Sequence, residues 1–265
     1  MLASLDRVAA MTLRYWYLMR ASWPRLLEAV YWPAMTMLVW GFLQVYLSEE
    51  KSSLAGAAGL LLGAVLLWDI LFRGQLGFTF TFLEEIWSRN LANLMISPLR
   101  PAELALSLMV MSFIRLVIGT VPVTILAALV FGFNIYGLGI GAAVFFANLV
   151  LTGWALGLLI CGIVLRNGLG AESLAYSVMI VLLPLSCVYY PVGILPVWMQ
   201  PMAWILPTTY VFEGLRSILL DHAFRGDLML ECVALNLVYL LLGFAAFLLL
   251  LRSARHNGAL HAMGE

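Results

Sequence analysis

Long apolar stretches alternate with short polar stretches along this chain. A helix needs about 20 residues to cross the hydrocarbon core of a bilayer, and six apolar stretches approach or exceed that length. The predicted spans cover residues 28–47, 54–72, 102–131, 138–165, 174–190 and 232–251. The pattern therefore predicts an all-α integral membrane protein with six transmembrane helices in a single domain over residues 1–265.

The stretch before the first span, residues 1–25, has a different pattern. Its apolar residues fall on one helical face, and Arg7, Arg14 and Arg20 lie elsewhere around the helix. This arrangement predicts an interfacial helix whose basic side faces anionic lipid headgroups.

The polar segment 82–101 lies between the second and third spans and is too regular for a slack loop. Four residues at helical spacing form an apolar stripe: Trp87, Leu91, Leu94 and Met95. Glu84 and Glu85 are predicted in the first turn, where the helix dipole favours carboxylates, and Ser97-Pro98 ends the helix. The sequence thus predicts an amphipathic helix over residues 84–100, which either docks into a groove of a partner or lies on the lipid surface.

Residues 190–219, before the last span, are apolar but rich in proline. Four prolines forbid one continuous helix here: Pro191, Pro196, Pro201 and Pro207. Broken backbone is tolerated at membrane depth only where protein or a water-filled cavity satisfies it. We expect short re-entrant helices that dip into the outer leaflet.

Composition narrows the class of protein. The chain is 64% apolar and only 11% charged, which is too few charges for a soluble surface. The formal net charge is zero, so no electrostatic footprint for nucleic acid is expected. The cysteines and histidines show neither a metal-binding spacing nor a catalytic arrangement.

The distribution of basic residues sets the orientation. With six spans and both termini in the cytoplasm, ten arginines are cytoplasmic and three basic residues are outside, as the positive-inside rule requires. The segment 84–100 then faces the cytosol, which favours docking to a partner over the lipid-surface interpretation.

The chain cannot form a nucleotide-binding loop of the form G-x-x-x-x-G-K-[ST]. Its only lysine is Lys51, and the residue before it is Glu50. If this protein uses ATP, another chain must supply the nucleotide site.

These residues resemble the ABC type-2 permeases, the membrane subunits of exporters driven by separate ATPase subunits. The resemblance covers almost the whole chain and is most specific at residues 84–101 and 190–219. The matching motifs of the second segment are Pro191 to Trp198, Pro207-Thr208-Thr209-Tyr210 and Glu213-Gly214-Leu215-Arg216. In the first segment the chain has Trp87-Ser88-Arg89 where the family often has Gly-Thr after the acidic residue.

The resemblance implies that segment 84–100 is the coupling helix and that two permease copies, identical or related, pair with two ATP-binding subunits. ATP and Mg²⁺ would be bound by the partner subunit, and none by this chain. The candidates for contact with the ATPase are Glu84, Glu85, Arg89, Asn90 and Asn93. The implied location is the plasma membrane of a prokaryote, among membrane lipids.

Two charges lie inside the predicted spans, and such residues are candidates for function. We expect Asp69 near the cytoplasmic face and Arg115 in the outer half, too far apart to pair. Glu213 is the candidate partner of Arg115. The candidates for a transport path or gate are Arg115, Tyr189, Tyr190 and Glu213. The small-residue face of Gly153 and Gly157, or the first and fifth spans, would join two copies.

Two other classes of protein compete with the exporter. An ion-coupled secondary transporter would use Asp69 or Arg115 as its switching charge, but the chain has no convincing inverted repeat. A membrane-embedded enzyme acting on lipids would need a catalytic cluster, and no such cluster is visible. The sequence leaves drug, lipid, polysaccharide and peptide substrates open.

Overall fold

The computed structural model describes residues 2–50 and 58–256, and within them all regular structure is helical. Ten α-helices follow one another: α1 Leu2–Arg20, α2 Trp23–Glu50, α3 Ala58–Trp87, α4 Leu91–Ile96, α5 Pro101–Phe131, α6 Ile140–Asn167, α7 Leu174–Leu185, α8 Gln200–Ile205, α9 Pro207–Asp221 and α10 Gly226–His256. Short 3-10 turns lie at Ile135–Leu138, Leu169–Ala171 and Val192–Ile194. Residues 51–57, which hold the second half of the turn predicted between the first two spans, and the tail 257–265 lie outside the described residues.

Five helices of the described residues are long and apolar enough to cross a membrane: α2, α3, α5, α6 and α10. The sixth span predicted over residues 174–190 is not one long helix. Helix α7 has 12 residues and is therefore about 18 Å long, against a hydrocarbon core of about 30 Å. Pro184 lies in its last turn, and the helix ends directly after it.

The long helices define two ends of the bundle. We name the "α4 end" for the end that holds α4, and the "far end" for the end that holds the turn Ile135–Leu138. Helix α6 lies in the middle and packs against α3 on one side and α10 on the other.

Helix α3 is longer than predicted, and this changes the polar segment 82–101. It continues through Gly74 and Gly77 as far as Trp87. Glu84 and Glu85 therefore lie in the last turn of α3, not in the first turn of the next helix, and the predicted helix 84–100 is reduced to the six residues of α4. The predicted stop at Ser97-Pro98 is confirmed, because Ser97 has extended backbone directly after Ile96.

The two glycines do not interrupt α3, which contacts α5 at this level. The Ser112 hydroxyl donates to the Gly74 carbonyl oxygen at 3.2 Å, and a Cβ at Gly77 would meet the Ser112 backbone at 3.6 Å. A Cβ at Gly77 would thus make an ordinary van der Waals contact, and Gly74 has open space around it.

The face of Gly153 and Gly157 is buried within the chain. A Cβ at Gly153 would lie 3.0 Å from the Gln75 backbone nitrogen, and one at Gly157 would lie 2.7 Å from the Phe78 ring. The face packs α6 against α3, so the expectation that it joins two copies is wrong.

Helix α1 is docked on protein. Tyr15 and Met19 are buried, and the helix packs against α5 and α2. Arg7 pairs with Glu103 at 2.6 Å, and Arg14 pairs with Glu85. Two of its three arginines therefore bind carboxylates of the chain instead of facing lipid headgroups as predicted.

The proline-rich segment is broken, as its prolines predict, but it ends in a longer helix. Helix α9 packs against α10, α6 and α3. At its start Thr208 and Ser186, the residue after α7, share a hydrogen bond of 2.7 Å. Tyr239 donates to the Ile205 carbonyl oxygen at 3.2 Å. Because Tyr239 lies 13 residues after the first residue of α10, this contact is about 20 Å from the start of that helix.

Candidate functional site

Glu84 and Glu85 end α3 and bind different parts of the fold. The Glu85 carboxylate is 1% exposed and accepts hydrogen bonds from both terminal nitrogens of Arg14, that from Nη2 at 3.1 Å. It also accepts from Asn90 Nδ2 at 2.7 Å. Glu85 thus ties α1 to the turn that leads into α4.

Glu84 binds arginines of two other helices. Its two carboxylate oxygens each accept from Arg115 Nη2 at 3.0 Å, and Arg25 at the start of α2 lies 3.6 Å away. The two adjacent glutamates therefore make different connections. Glu85 joins the turn before α4 to α1, and Glu84 joins α5 to α2.

These ion pairs change the proton affinity of groups on α1. Burial alone would lower the pKa of Arg14, but the hydrogen bond and the charge of Glu85 outweigh it and raise that pKa above its usual value. Burial raises the pKa of the Tyr15 hydroxyl well above its usual range, and the charge of Glu85 raises it further. Both groups therefore keep their protons at neutral pH, and Arg14 stays charged beside Glu85.

Helix α4 has a buried side and an exposed side. Leu91 and Leu94 are buried against the bundle, whereas Ile96 is 86% exposed. Arg89 and Asn93 are also exposed. Ile96 was not among the predicted contact residues, although it directly precedes Ser97-Pro98 and falls outside the predicted apolar stripe.

The candidate contact residues are only partly brought to this surface. Arg89 has a left-handed backbone (φ 54°) in the turn before α4. Asn90 is half-buried, since it donates to Glu85 and accepts from Asn93 Nδ2 at 3.3 Å. Glu84 and Glu85 are held by arginines, which the sequence could not show.

A lateral groove of about 820 Å³ runs between α2, α3, α5 and α7. Seven aromatic residues line it: Trp32, Trp68, Phe72, Phe80, Trp87, Tyr176 and Tyr189. Six charged residues line it as well: Arg25, Glu28, Asp69, Arg73, Glu84 and Arg115. We call this cavity the lateral groove.

Arg115 lies in the lateral groove, but its partner is not the one expected. It pairs with Glu84, and Glu213 pairs with Arg216 at 3.0 Å. The Cα–Cβ bonds of a helix point toward its N-terminus, and α5 begins at the α4 end, so the long side chain of Arg115 reaches toward that end. Its Nε is buried without a hydrogen-bond partner.

As expected, Asp69 does not pair with Arg115. The predicted position of Asp69 near the cytoplasmic face is wrong. It binds Arg73, one turn along α3, at 2.7 Å. Eighteen residues separate Asp69 from the end of α3, which places it about 27 Å from that end. Asp69 is therefore in the middle of a span. Arg73, one of the ten arginines predicted to be cytoplasmic, is in the span with it.

The two tyrosines of the predicted path separate. Tyr189 lines the lateral groove and stacks on Trp40 with ring centroids 5.0 Å apart. Tyr190 instead donates to the Pro184 carbonyl oxygen at 2.8 Å.

Glu213 also lies outside the groove and fastens the proline-rich segment to α9. It accepts from the Val192 backbone nitrogen at 2.8 Å. Its partner Arg216 donates to the Cys187 carbonyl oxygen at 2.9 Å.

The chain is a multi-pass membrane protein, because five of the described helices are long and apolar enough to cross a membrane. Among the residues described, no His/Cys/Asp/Glu cluster could hold a metal ion. Comparison with protein families gives a match over residues 7–220 to the family described as ABC-2 type transporter. The chain belongs to this family and is a membrane component of an ABC transport system, as the sequence motifs predicted. No curated protein matches the chain.

Proposed function

We propose that the chain is the permease subunit of an ABC exporter that moves its substrate outward by alternating access. Separate ATPase subunits supply and hydrolyse ATP with Mg²⁺. Two permease copies pair with two ATPases in the plasma membrane of a prokaryote, and both termini are cytoplasmic. The α4 end then faces the cytosol, and α7 with the segment up to α9 completes the sixth crossing as a broken span with re-entrant helices.

One observation carries this proposal: α4 is a short helix with a fixed inner side and an exposed outer side. The buried side chains of Leu91 and Leu94 hold α4 to the bundle, and the Ile96 side chain is 86% exposed. A single exposed apolar residue is common on protein surfaces, so docking is inferred from its position: Ile96 lies on the outer side of a short helix that can enter a groove of a partner, with exposed Arg89 and Asn93 on the same segment. We assign the ATPase contact to Arg89, Asn90, Asn93 and Ile96.

Glu84 and Glu85 take a different part in the same proposal. Their carboxylates are bound to arginines, so they position α4 and transmit its movement. A displacement of the last turn of α3 moves Glu85 against Arg14 on α1, and it moves Glu84 against Arg115 in the lateral groove. In this way nucleotide binding at the partner reaches the substrate path.

Affinity purification of the tagged chain from its native cell in mild detergent tests the proposal. An ATP-hydrolysing subunit should co-purify with the wild type and be lost or reduced with Ile96→Ser. Ile194→Ser is the matched control, because Ile194 is 70% exposed but lies in the turn Val192–Ile194, and it should retain the partner.

The possible results separate the parts of the proposal. If both variants retain the ATPase, the contact residues are wrong and the permease function stands. If no ATPase co-purifies in several detergents, or if transport persists without nucleotide, the exporter proposal fails and ion-coupled transport is favoured.

A further inference from the structure

The lateral groove follows α3 for the length of a membrane span. Its lining residues on this helix extend from Val65 to Trp87, a distance of about 33 Å beside a hydrocarbon core of about 30 Å. At the α4 end Trp87 is 50% exposed, whereas Val65 at the other extreme is 4% exposed. The groove therefore opens at the α4 end and closes toward the far end.

A pair of stacked aromatic rings ends the groove on α2. The lining residues of this helix recur at helical spacing and are Arg25, Glu28, Ala29, Trp32 and Thr36. Trp40 is the next position on the same face, but it is not a lining residue. Tyr189 covers it, with ring centroids 5.0 Å and ring planes 21° apart. The groove thus ends where these two rings meet.

Helix α7, which leads to Tyr189, is held loosely in the bundle. Of its 12 residues only Ala175 and Met179 are buried. The next three residues, 186–188, are all buried. The position of Tyr189 therefore depends on the residues that follow α7. We call residues 186–192 the stack segment.

One ion pair of α9 fixes the stack segment on both sides of Tyr189. Arg216 Nη2 donates to the Cys187 carbonyl oxygen at 2.9 Å, and Glu213 accepts from the Val192 backbone nitrogen at 2.8 Å. The two charged side chains are joined at 3.0 Å. Opening of this pair would release both ends of the loop that carries Tyr189.

The backbone of the stack segment is held in a disfavoured conformation. Cys187 has a left-handed φ of 52°, which a residue with a Cβ adopts only where its surroundings impose it. The surroundings here include the Arg216 guanidinium, which is bound to the Cys187 carbonyl and only 6% exposed. The stack segment is therefore set in its present path by contacts that α9 supplies.

We propose that the stack of Tyr189 on Trp40 is a gate at the far end of the lateral groove, and that Glu213 and Arg216 form the latch that keeps it closed. Opening of the latch frees the stack segment, withdraws Tyr189 from Trp40 and joins the groove to the far side of the membrane. This inference rests on the proposed function and adds the exit of its path, whichever substrate uses the groove.

Entry of water into the groove from the far side tests the gate. Thr36 lines the groove one helical turn before Trp40, so the variant Thr36→Cys reports on water that passes the stack. It is labelled in right-side-out and in inside-out membrane vesicles with a trimethylammonium methanethiosulfonate, which is charged and does not cross the bilayer. Peptide mass spectrometry then reads each cysteine separately.

Two substitutions of the gate residue are compared in the Thr36→Cys chain. Tyr189→Ala removes the ring and should accelerate labelling about tenfold from the far side. From the α4 end the rate should not change, because the groove is already open there. Tyr189→Phe is the matched control, since it keeps the stacked ring and should label at the rate of the parent chain.

Arg216→Gln tests the latch from outside the groove. Arg216 does not line the groove, so its loss can expose Thr36→Cys to the far side only by moving the stack segment. Labelling should accelerate about tenfold, because loss of charge-assisted hydrogen bonds shifts a local opening equilibrium by that factor or more. Arg225→Gln is the control, because its pair with Asp227 is exposed, and it should leave the rate unchanged.

The native cysteines separate local opening from general unfolding. Cys187 lies in the stack segment and Cys161 in α6, and both are buried. In Arg216→Gln, N-ethylmaleimide should label Cys187 about tenfold faster than in the wild type. The rate at Cys161 should stay the same.

Three results would overturn the inference: equal labelling of Thr36→Cys with Tyr189→Ala and Tyr189→Phe, no acceleration by Arg216→Gln, or a parallel rise at Cys187 and Cys161. The comparison at Tyr189 leaves the latch intact, so it decides even if Arg216→Gln fails to fold. Acceleration by Tyr189→Ala only in inside-out vesicles would support the gate and overturn the orientation proposed above. Co-purification of the ATPase is measured separately, so the gate can fail while the permease function stands.

Discussion

The pairing of Arg14 with Glu85 should stabilise the α4 end measurably, and Arg14→Gln is the change that tests it. The variant leaves the buried Glu85 carboxylate with only the Asn90 side chain as a partner. Removing one partner of a fully buried ion pair costs about 3–5 kcal/mol. The Arg14 side chain is 36% exposed and Asn90 remains, so we expect a loss of about 2 kcal/mol.

Thermal unfolding of the purified chain, followed by size-exclusion chromatography after heating, measures this loss. In a chain of this size about 1 kcal/mol corresponds to roughly 2–4 °C in Tm, so Arg14→Gln should lower Tm by about 4–8 °C. Arg225→Gln is the control, because its pair with Asp227 is more than half exposed on both sides; exposed pairs contribute little, and its Tm should not change.

The double variant Arg14→Gln/Glu85→Gln completes a mutant cycle. It removes the buried charge together with its partner, so its loss should be smaller than the sum of the two single losses. Additive losses of stability in the two single variants would refute the assignment of Arg14 as the partner that stabilises the buried Glu85 carboxylate. A Tm shift of Arg14→Gln no larger than that of Arg225→Gln would refute it as well.

Three further predictions test the contacts inside the membrane. Arg115→Glu should reduce the yield of folded, monodisperse protein, and addition of Glu84→Arg should restore part of it because the pair is re-formed in reverse; no recovery in chromatography would contradict this pairing. Gly243→Ala should lower Tm by several degrees, because its Cβ would lie 2.6 Å from the Ala155 carbonyl oxygen. Gly74→Ala is the control and should leave Tm unchanged, because its Cβ meets no atom within 4 Å. Equal Tm values for the two variants would disprove the close approach of α6 and α10. Asn236→Leu should cost about 1–2 kcal/mol in denaturant unfolding, because the side chain bonds both Thr152 and Asn148, and an unchanged midpoint would show that this buried network is not stabilising.

The long helices were predictable because apolar length alone decides them. The span expected over residues 102–131 is α5, which begins one residue earlier, and the span expected over 138–165 is α6, Ile140–Asn167. Where twenty or more apolar residues follow one another, only a continuous helix satisfies the backbone in lipid. Pro122 does not break α5.

The polar segment was misjudged because local rules cannot register distant partners. Two adjacent glutamates after a glycine-containing stretch favour a new helix start. In the fold, α3 continues because Arg14, Arg25 and Arg115 neutralise those glutamates from three other helices. None of these arginines lies within 30 residues of its partner, so periodicity carries no trace of the contacts.

The partner of Arg115 illustrates a second limit. A rise of about 1.5 Å per residue places its Cα in the bundle, but the charge is at the tip of a long side chain that extends back along α5. Depth estimated from sequence therefore describes the backbone, and the search for a partner has to include a full side-chain length toward the start of the helix. With that correction Glu84 becomes a candidate.

The ion pairs of α1 also impose an order on biosynthesis. Arg14 is made 71 residues before Glu85, and Arg7 is made 96 residues before Glu103. Helix α1 therefore leaves the ribosome without the carboxylates that fix it, and it acquires them only when α3 is complete and α5 has begun. Contacts that close such long loops form late, so α1 is translated before α3 and α5 but is fixed in its place only after them. A chain arrested before residue 85 would have an α1 that lacks both ion pairs.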